Sequence, residues 1–203
     1  MPTYALISDL HANLEALEAV FRDLDAQGGV EAVYCLGDLV GYGPDPEGVI
    51  DLVEKRCSLT LLGNHDFALL NAPVGFNPIA AGAIRCQRSF MDPGIYTAPL
   101  KQHRWEFLRN LPEERWLGED LLVHASPRDK IFEYILPEDI THNPRKLQAI
   151  FAMVKRRCFV GHTHRPGVIT DDLRFLSDQQ AGGEYVFRPG EKTVVNVSSV
   201  GQP

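Results

Sequence analysis

The sequence predicts an α/β fold with a mixed sheet system and one site at which several strand ends meet. Three observations support this prediction: short apolar runs that each stop at a metal-competent side chain, amphipathic segments between them, and alternating segments near the end of the chain. Short apolar runs are typical of strands covered on both faces, and open α/β sheets bind ligands at the carboxyl ends of their strands.

The composition favours one domain, with no non-specific binding to nucleic acid and no binding to membranes. The chain has 203 residues, and its charge and its Pro and Gly content do not shift sharply along it. The formal net charge is -7 with scattered Lys and Arg, which provides no electrostatic footprint for nucleic-acid backbones or anionic membranes. The first apolar run, Tyr4 to Ile7, is too short for a signal peptide, and no run reaches membrane-spanning length. Cysteines without any Cys-x-x-Cys pair fit a reducing compartment, so we expect a cytoplasmic protein.

The first predicted strand, Tyr4 to Ser8, ends at Asp9, and one residue separates this carboxylate from His11. Both side chains can ligate a metal, although Asp-x-His alone is equally compatible with an Asx turn followed by a solvated histidine. Asn13 then begins a helix that ends near Gly28-Gly29. We interpret Asn13 first as the helix cap and second as a contact to bound phosphate.

The second predicted strand delivers the residue around which the site is organised. The apolar run Val33 to Gly37 places Asp38 at a strand end, where we expect it to be shared by two metal ions. Small and rigid residues follow and allow the backbone to approach the site, with Tyr42 at its rim. Asp45 then caps a helix that runs to about Lys55.

A third predicted strand, Ser58 to Leu62, leads into Gly63-Asn64-His65-Asp66. The amide oxygen of Asn64 can ligate a hard cation while His65 stays free for proton transfer. The alternative is a turn in which Asn64 adopts a left-handed conformation.

The middle of the chain carries no motif, and we expect it to cover one face of the sheet and one wall of the cleft. After a loop over residues 72–78, helices are predicted from Pro78 to about Phe90 and from about Leu100 to Arg109. His103 and His142 are interpreted as solvated surface residues.

Two later strands also end in histidines. Leu121 to Val123 delivers His124, and the loop after it contains Arg128, which could reach an anionic ligand. Strand Cys158 to Val160 leads to Gly161-His162-Thr163-His164. His-x-His places two imidazoles on one turn, which is a strong indication of a metal site when other ligands exist elsewhere.

The remaining elements are a helix and several antiparallel strands. The helix is predicted from Pro144 to about Lys155. The strands are predicted at Arg174 to Leu176, Glu184 to Phe187 and Thr193 to Val197, with a turn at Gly182-Gly183.

Taken together, these motifs resemble those of the calcineurin-like metallophosphoesterases. The match covers almost the whole chain and rests on Asp9-x-His11, Gly37-Asp38, Gly63 to Asp66, His124 and Gly161 to His164, in this order. The segments Gly37 to Pro44 and His124 to Arg128 are similar to those of the small prokaryotic phosphodiesterase branch. The resemblance implies a four-layer α-β-β-α sandwich with two mixed β-sheets that holds two divalent metal ions.

The resemblance also implies which residues bind each ion. One ion is held by Asp9, His11, Asp38 and His164, and the other by Asp38, Asn64, His124 and His162, which leaves His65 uncoordinated. Imidazoles, carboxylates and an amide without a thiolate suit Mn, Fe, Zn or Ni, with Mn favoured. The charge of two dications outweighs that of the two carboxylates and a bridging hydroxide, so an acidic chain can still attract phosphate.

The implied activity is hydrolysis of a small phosphodiester or a nucleotide polyphosphate, so the expected partner is a small-molecule phosphoester. A hydroxide that bridges the metals attacks phosphorus, and His65 protonates the leaving oxygen as general acid. Asp66 could orient His65. Asn13, Tyr42 and Arg128 are the candidate substrate contacts.

Two other functions stay open. Protein phosphatases of this family carry an acidic residue and an arginine where this chain has Gly41 and Tyr42. The absence of that arginine favours a diester over a phosphomonoesterase or serine/threonine protein phosphatase activity. A non-catalytic binding scaffold is disfavoured because every expected ligand is present.

The chain is interpreted as one metallophosphoesterase domain over residues 1–203. Relatives usually continue into further strands beyond the position of Pro203, so this domain could lack its C-terminal strands. An exposed sheet edge would then allow homo-oligomers to form.

Overall fold

The fold is described from a computed structural model that covers residues 3–94 and 97–202. Its strands are β1 (Tyr4–Ile7), β2 (Ala32–Cys35), β3 (Leu59–Thr60), β4 (Glu114–Leu117), β5 (Asp120–Val123), β6 (Arg157–Val160), β7 (Gly167–Thr170), β8 (Phe175–Ser177) and β9 (Thr193–Asn196). Its helices are α1 (Leu14–Ala26), α2 (Pro46–Arg56), α3 (Asn64–Leu70), α4 (Pro78–Met91), α5 (Pro99–Arg109), α6 (Asp139–His142), α7 (Pro144–Met153) and α8 (Asp178–Ala181). Within those residues, each helix is too short or too polar to cross a membrane.

The strands form two sheets of different character. The first sheet has the order β1-β2-β3, and its strands are parallel. The second has the order β4-β5-β6-β9-β7-β8, in which β5, β6 and β9 are parallel to one another while β4, β7 and β8 are antiparallel to their neighbours. The mixed character predicted from the sequence therefore belongs to the second sheet.

Three apolar clusters show how the layers stack. One cluster joins β1 and β2 to side chains of the helices α1 to α5, and another joins β5, β6 and β9 to α7. The third lies between the sheets and contains Leu36, Leu61 and Leu122. Helix, sheet, sheet and helix thus follow one another, which confirms the predicted α-β-β-α sandwich.

The helix starts follow from capping side chains. Asn13, Asp45 and Asn77 accept hydrogen bonds from the backbone N–H of Ala16, Gly48 and Ala80. Such caps satisfy amide groups that have no partner inside the helix, and each contributes about 1 kcal/mol. The cap interpretation of Asn13 is confirmed.

Five elements were not anticipated from the sequence, namely the strands β4 and β7 and the short helices α3, α6 and α8. Asn64 begins α3, so the alternative of a left-handed turn at this position is wrong. The helix was hidden because its first turn consists of polar residues and it has only 7 residues. A periodic apolar pattern needs a longer segment to be recognised.

The predicted strand from Glu184 to Phe187 is wrong, since these residues pair with no strand in the described part of the chain. Their alternating pattern instead reflects packing on one side: Tyr185 and Phe187 are half-buried while Val186 is 74% exposed. The Tyr185 hydroxyl donates to Glu191 at 2.7 Å. Alternation therefore indicated one covered face but not a hydrogen-bonded ladder.

Candidate metal centre

The predicted ligands meet where the two sheets face each other at their strand ends. Asp9 and His11 follow β1, Asp38 follows β2, and Asn64 opens α3 after β3. From the second sheet, His124 follows β5, and the turn after β6 carries His162 and His164. All of these side chains are buried except that of His164, which is 17% exposed.

Polar atoms from both sheets approach one another closely. The Nε2 atom of His164 lies 3.1 Å from Asp9 Oδ1 and 3.2 Å from His11 Nε2. The Nε2 atom of His124 lies 3.0 Å from Asn64 Oδ1 and 3.5 Å from Asp38 Oδ2.

Asp38 stands between these two groups, because its Oδ2 is also 3.9 Å from His11 Nε2. Donor atoms of Asp9, Asp38 and His124 all lie within 4.8 Å of one another, as do those of Asp9, His11 and His164. Donors this close together on several chain segments could hold metal ions.

Backbone carbonyls orient the imidazoles. His124 Nδ1 donates to Leu36 O at 3.0 Å, and His11 Nδ1 donates to Val40 O at 3.2 Å. A carbonyl oxygen can only accept, so each ring carries its proton on Nδ1 and leaves the Nε2 lone pair free. Metal-binding histidines show this arrangement.

His162 is oriented through its other nitrogen and lies at the margin of the cluster. Its Nε2 donates to Phe132 O at 3.2 Å, which leaves Nδ1 as the nitrogen available to a ligand. The rings of His162 and His124 lie 5.0 Å apart, and the backbone N–H of His162 donates to Asp9 Oδ2 at 3.0 Å. His162 therefore both adjoins the cluster and anchors one of its carboxylates.

Charge in the cluster is unevenly distributed. Burial lowers the pKa of His11 to about 4 and that of His124 to about 3, so both rings are neutral. Burial, together with the charges of Asp9 and Asp66, raises the pKa of Asp38 well above its ordinary value. The pKa of Asp9 is lowered, because the hydrogen bond to His164 and nearby histidines outweigh the effect of burial. Two neighbouring buried carboxylates and neutral imidazoles are a donor set that fits bound dications.

The turns that carry these donors are strained. Positive φ angles, which side chains other than glycine rarely adopt, occur at Asp9 (56°), His11 (47°), Asp38 (57°), His162 (64°) and His164 (55°). Each costs roughly 1–3 kcal/mol and persists only where the surroundings hold it, which is typical of functional sites.

Two glycines permit the close approach of the loops. A Cβ atom at Gly63 would lie 2.1 Å from Asp38 Oδ1, and one at Gly161 would lie 2.3 Å from Asp9 Oδ2. Each of these glycines directly precedes a predicted ligand, so a side chain there would displace the carboxylate of another strand end.

Asp66 holds the loop after β2 and does not orient His65 as hypothesised. Its two oxygens accept hydrogen bonds at 2.9–3.2 Å from the backbone N–H groups of Asp38, Leu39, Val40 and Gly63. The side chain is fully buried. Asp66 thus fixes the position of Asp38 relative to α3.

His65 is buried beside the cluster and is unusually placed. Its ring lies 4.6 Å from that of His11 and 4.9 Å from that of Tyr42. Within the described residues its Nδ1 has no hydrogen-bond partner, and it fits only because Gly41 lacks a Cβ, which would lie 2.1 Å away. Burial lowers its pKa to about 2. A donor atom of His65 also lies within 4.8 Å of those of His11 and Asp38.

The predicted substrate contacts differ in position. Tyr42 lines the cleft, with its ring edge-on to His11 at 4.9 Å. Asn13 uses its amide for the cap and for a bond from Nδ2 to Gly201 O at 3.0 Å. Arg128 pairs with Glu133 at 3.3 Å in an adjoining cavity that Tyr134 also lines.

Sequence reasoning missed Gln87 on α4. Its side chain is 4% exposed, accepts from the Gly41 N–H and donates to Gly43 O, both at 2.7 Å. It therefore fixes the segment that carries Tyr42. The helical pattern of α4 could have identified it, because Gln87 is a polar residue on the face formed by the buried residues Ala80, Ile84 and Met91.

Sequence reasoning also missed the contacts of residues 198–202. The backbone N–H of Gly201 and the hydroxyl of Ser199 both donate to Asp9 O at 2.9 Å, and Val200 N–H donates to Ser8 O at 3.0 Å. Gln202 lines the cleft. These residues lie about 190 positions from Asp9 in the sequence, so no local pattern predicts the contacts.

Comparison with known proteins gives the same picture. The family model for calcineurin-like phosphoesterases matches residues 2–166. An uncharacterised protein of Methanocaldococcus jannaschii is 33% identical over 208 residues, with 98% of this chain and 76% of the relative covered. The crystal structure of a metallophosphoesterase from Sphaerobacter thermophilus has a TM-score of 0.73 at 32% identity, covering 100% of this chain and 78% of the other.

A symmetrical bis(5'-nucleosyl)-tetraphosphatase of Acidovorax sp. is 33% identical over 129 residues, which is 59% of this chain. The match spans only 42% of that enzyme's length. The family match over most of the sequence, the likeness of the fold and the convergent His and Asp side chains lead to one conclusion: this chain belongs to the calcineurin-like phosphoesterase family.

Proposed function

We propose that the protein is a hydrolase that cleaves phosphodiesters or nucleotide polyphosphates with the help of two divalent metal ions. The observation that carries this proposal is the convergence of imidazole, carboxylate and amide donors from five loops. One ion would be held by Asp9, His11, Asp38 and His164, and the other by Asp38, Asn64, His124 and His162. Mn is the favoured ion, with Fe, Zn and Ni as alternatives.

When bound, such ions polarise phosphoryl oxygens and lower the pKa of water. The protein's own residues supply the remaining steps. Backbone contacts hold Asp9 and Asp38 in strained turns, which keeps their positions fixed when a substrate enters. Tyr134 and Tyr42 both line the cleft beside these residues.

His65 is the proposed proton donor to the leaving oxygen. It lines the cleft, and among the histidines of the cluster it is the one that the family resemblance leaves without a metal. An anionic phosphoester beside it would favour its charged form, which is the form that can give up a proton.

Tyr42 is the proposed reason for a preference for diesters. A dianionic monoester needs more cationic contacts than a monoanionic diester, and a guanidinium would supply such contacts. Tyr42 instead presents an uncharged ring beside His11 and His65.

The test is hydrolysis of matched substrates after treatment with a chelator and reloading with each metal. We expect bis(p-nitrophenyl) phosphate and diadenosine tetraphosphate to be hydrolysed faster than p-nitrophenyl phosphate, and Tyr42→Arg to shift the ratio towards the monoester. Protein that binds two metals but hydrolyses none of these esters would overturn the proposal. A strong preference for phosphoserine peptides would overturn the choice of substrate class.

A further inference from the structure

A cleft of about 270 Å³ opens directly beside the metal centre. Its floor contains Asn64, His65 and His162, which belong to the candidate centre. The rest of its lining comes from Tyr42, from residues 74–77 and from Phe132 and Tyr134, so that aromatic rings and polar groups line it together. The cleft and the metal centre are therefore parts of one continuous site.

The walls expose large aromatic surfaces to water. Phe132 is 43% exposed and Tyr134 is 52% exposed, and Val74, which also lines the cleft, is 83% exposed. Phe76 completes the lining, with its ring edge-on to His65 at 5.0 Å. Apolar side chains that cluster at a polar cleft are typical of a ligand site rather than of the general surface.

The aromatic residues of one wall are held rigidly. Phe132 packs edge-on against Phe67 with ring centres 5.5 Å apart, and its carbonyl accepts the bond from His162 Nε2 at 3.2 Å. Its backbone N–H donates to Asp129 Oδ1 at 3.0 Å.

Tyr134 lies over His162, with the two ring centres 4.1 Å apart and an interplanar angle of 32°. Two exposed aromatic rings are thus fixed before a ligand arrives, which lowers the entropy lost on binding.

The shape and chemistry of the cleft suit a flat heteroaromatic ring. Aromatic walls offer stacking surfaces, and the amide and imidazole groups of Asn64 and His65 offer polar atoms to a ring edge. The limited volume and the aromatic lining suit a ring better than a long alkyl chain. Stacking of one base on an aromatic side chain contributes roughly 1–3 kcal/mol, so such a site can select its ligand.

We propose that this cleft binds the nucleobase of the substrate, so that the protein acts on nucleotides rather than on diesters without a base. The inference rests on the proposed function, because the cleft shares its floor with the metal centre. It goes further in assigning Phe132 and Tyr134 as the residues that select the substrate.

The test compares the binding of AMP and ribose 5-phosphate to the metal-loaded protein by calorimetry. The two ligands carry the same phosphate and differ by the base alone. We expect AMP to bind about 5- to 150-fold more tightly, which is the range that one stacked base provides. Adenosine should also bind to metal-free protein, and ribose should not. Equal affinities for AMP and ribose 5-phosphate would overturn the inference.

Substitutions of the two aromatic residues test where the nucleobase binds. Phe132→Leu and Tyr134→Leu should each reduce the preference for AMP over ribose 5-phosphate without changing the affinity for inorganic phosphate. The matched control is Phe90→Leu, because Phe90 is also 43% exposed but does not line the cleft. An equal loss of preference in Phe90→Leu would contradict the assignment.

Two further outcomes separate this inference from the proposed function. If phenyl phosphate binds as tightly as AMP, the cleft accepts any aryl ring, and its assignment to a nucleobase is overturned. A preference for AMP in a protein that hydrolyses no phosphoester would overturn the proposed function and leave the cleft assignment intact. Hydrolysis of phosphoesters without any preference for AMP would overturn the cleft assignment and leave the proposed function intact.

Discussion

The Nδ1 atom of His124 donates a hydrogen bond to the backbone carbonyl of Leu36 at 3.0 Å. His124 follows a strand of the second sheet, whereas Leu36 follows a strand of the first and lies in the apolar cluster between the sheets. The tautomer of a candidate metal ligand is therefore set by the packing of one sheet on the other. Fold stability and metal affinity are coupled at this contact.

We expect Asp38→Ala to lose both metals and Asn64→Ala to weaken only one site. Asp38 Oδ2 lies between His11 and His124, at 3.9 and 3.5 Å, whereas Asn64 Oδ1 contacts only the His124 side. Elemental analysis of the purified variants measures the metals per chain. Asp92→Ala is the control, because Asp92 is an exposed carboxylate outside the centre. Two metals retained in Asp38→Ala would refute the shared role.

The effect of His65→Ala should depend on the leaving group. A positioned acid contributes about 10²- to 10⁴-fold where the departing oxygen needs a proton, and nitrophenolate leaves readily without one. We expect a small loss of rate on bis(p-nitrophenyl) phosphate and a large loss on a diester with an alcohol leaving group, with both metals still bound. His103→Ala is the control, since His103 lies on the surface bonded to Glu54. Equal losses on both substrates would show that His65 positions phosphate instead.

We expect Gln87→Leu to lower the free energy of unfolding by about 2 kcal/mol. The substitution leaves the Gly41 N–H and the Gly43 carbonyl without their partner, and one unsatisfied buried group costs roughly 1–3 kcal/mol. Urea unfolding followed by circular dichroism measures the change. Gln102→Leu is the matched control, because Gln102 makes its bond to Glu106 on an exposed helix surface. Equal stability of both variants would contradict the bridging role of Gln87.

Gly161→Ala should weaken metal binding about 10- to 100-fold, which is the range seen when a contact that supports a ligand is lost. The new methyl group would lie 2.0 Å from Ser8 Oγ and 2.3 Å from Asp9 Oδ2, so the turn that carries Asp9 must shift. Metal affinity is measured by titration of the chelator-treated protein. The control is Gly82→Ala on α4, where the methyl group meets nothing within 4 Å and should stabilise the helix by roughly 0.5–1 kcal/mol. Unchanged affinity in Gly161→Ala would contradict the close-approach argument.

Local signals explain what the sequence could predict. Asp9, Asp38 and His124 each follow an apolar run directly, so strand and donor could be read together within a few residues. Order along the chain then indicated the family, which the comparisons confirm. The sandwich was predicted correctly for the same reason.

Contacts between distant segments explain what could not be predicted. The carboxylate of Asp66 looked like a partner for its neighbour His65, but it bonds to backbone groups that lie 26–28 residues earlier. Phe132 and Tyr134 stand in a loop without a motif, and only the folded chain places the Tyr134 ring over His162 and the Phe132 carbonyl against its Nε2. The alternating pattern at residues 184–187 reflects alternating burial of the side chains, and these residues form no strand.

The attachment of residues 199–201 to Asp9 has a consequence for the order of events during synthesis. Strand β9 lies between β6 and β7 in the second sheet, and the residues just after it bond to the loop of the first ligand. At about 5–20 residues per second, a ribosome adds the residues between Asp9 and Gly201 in roughly 10–40 s. Nascent chains stalled before Thr193 should therefore retain less of an added divalent metal than chains that extend past Gly201. The first predicted ligand to be made is therefore fully secured only after residues 199–201 have been added.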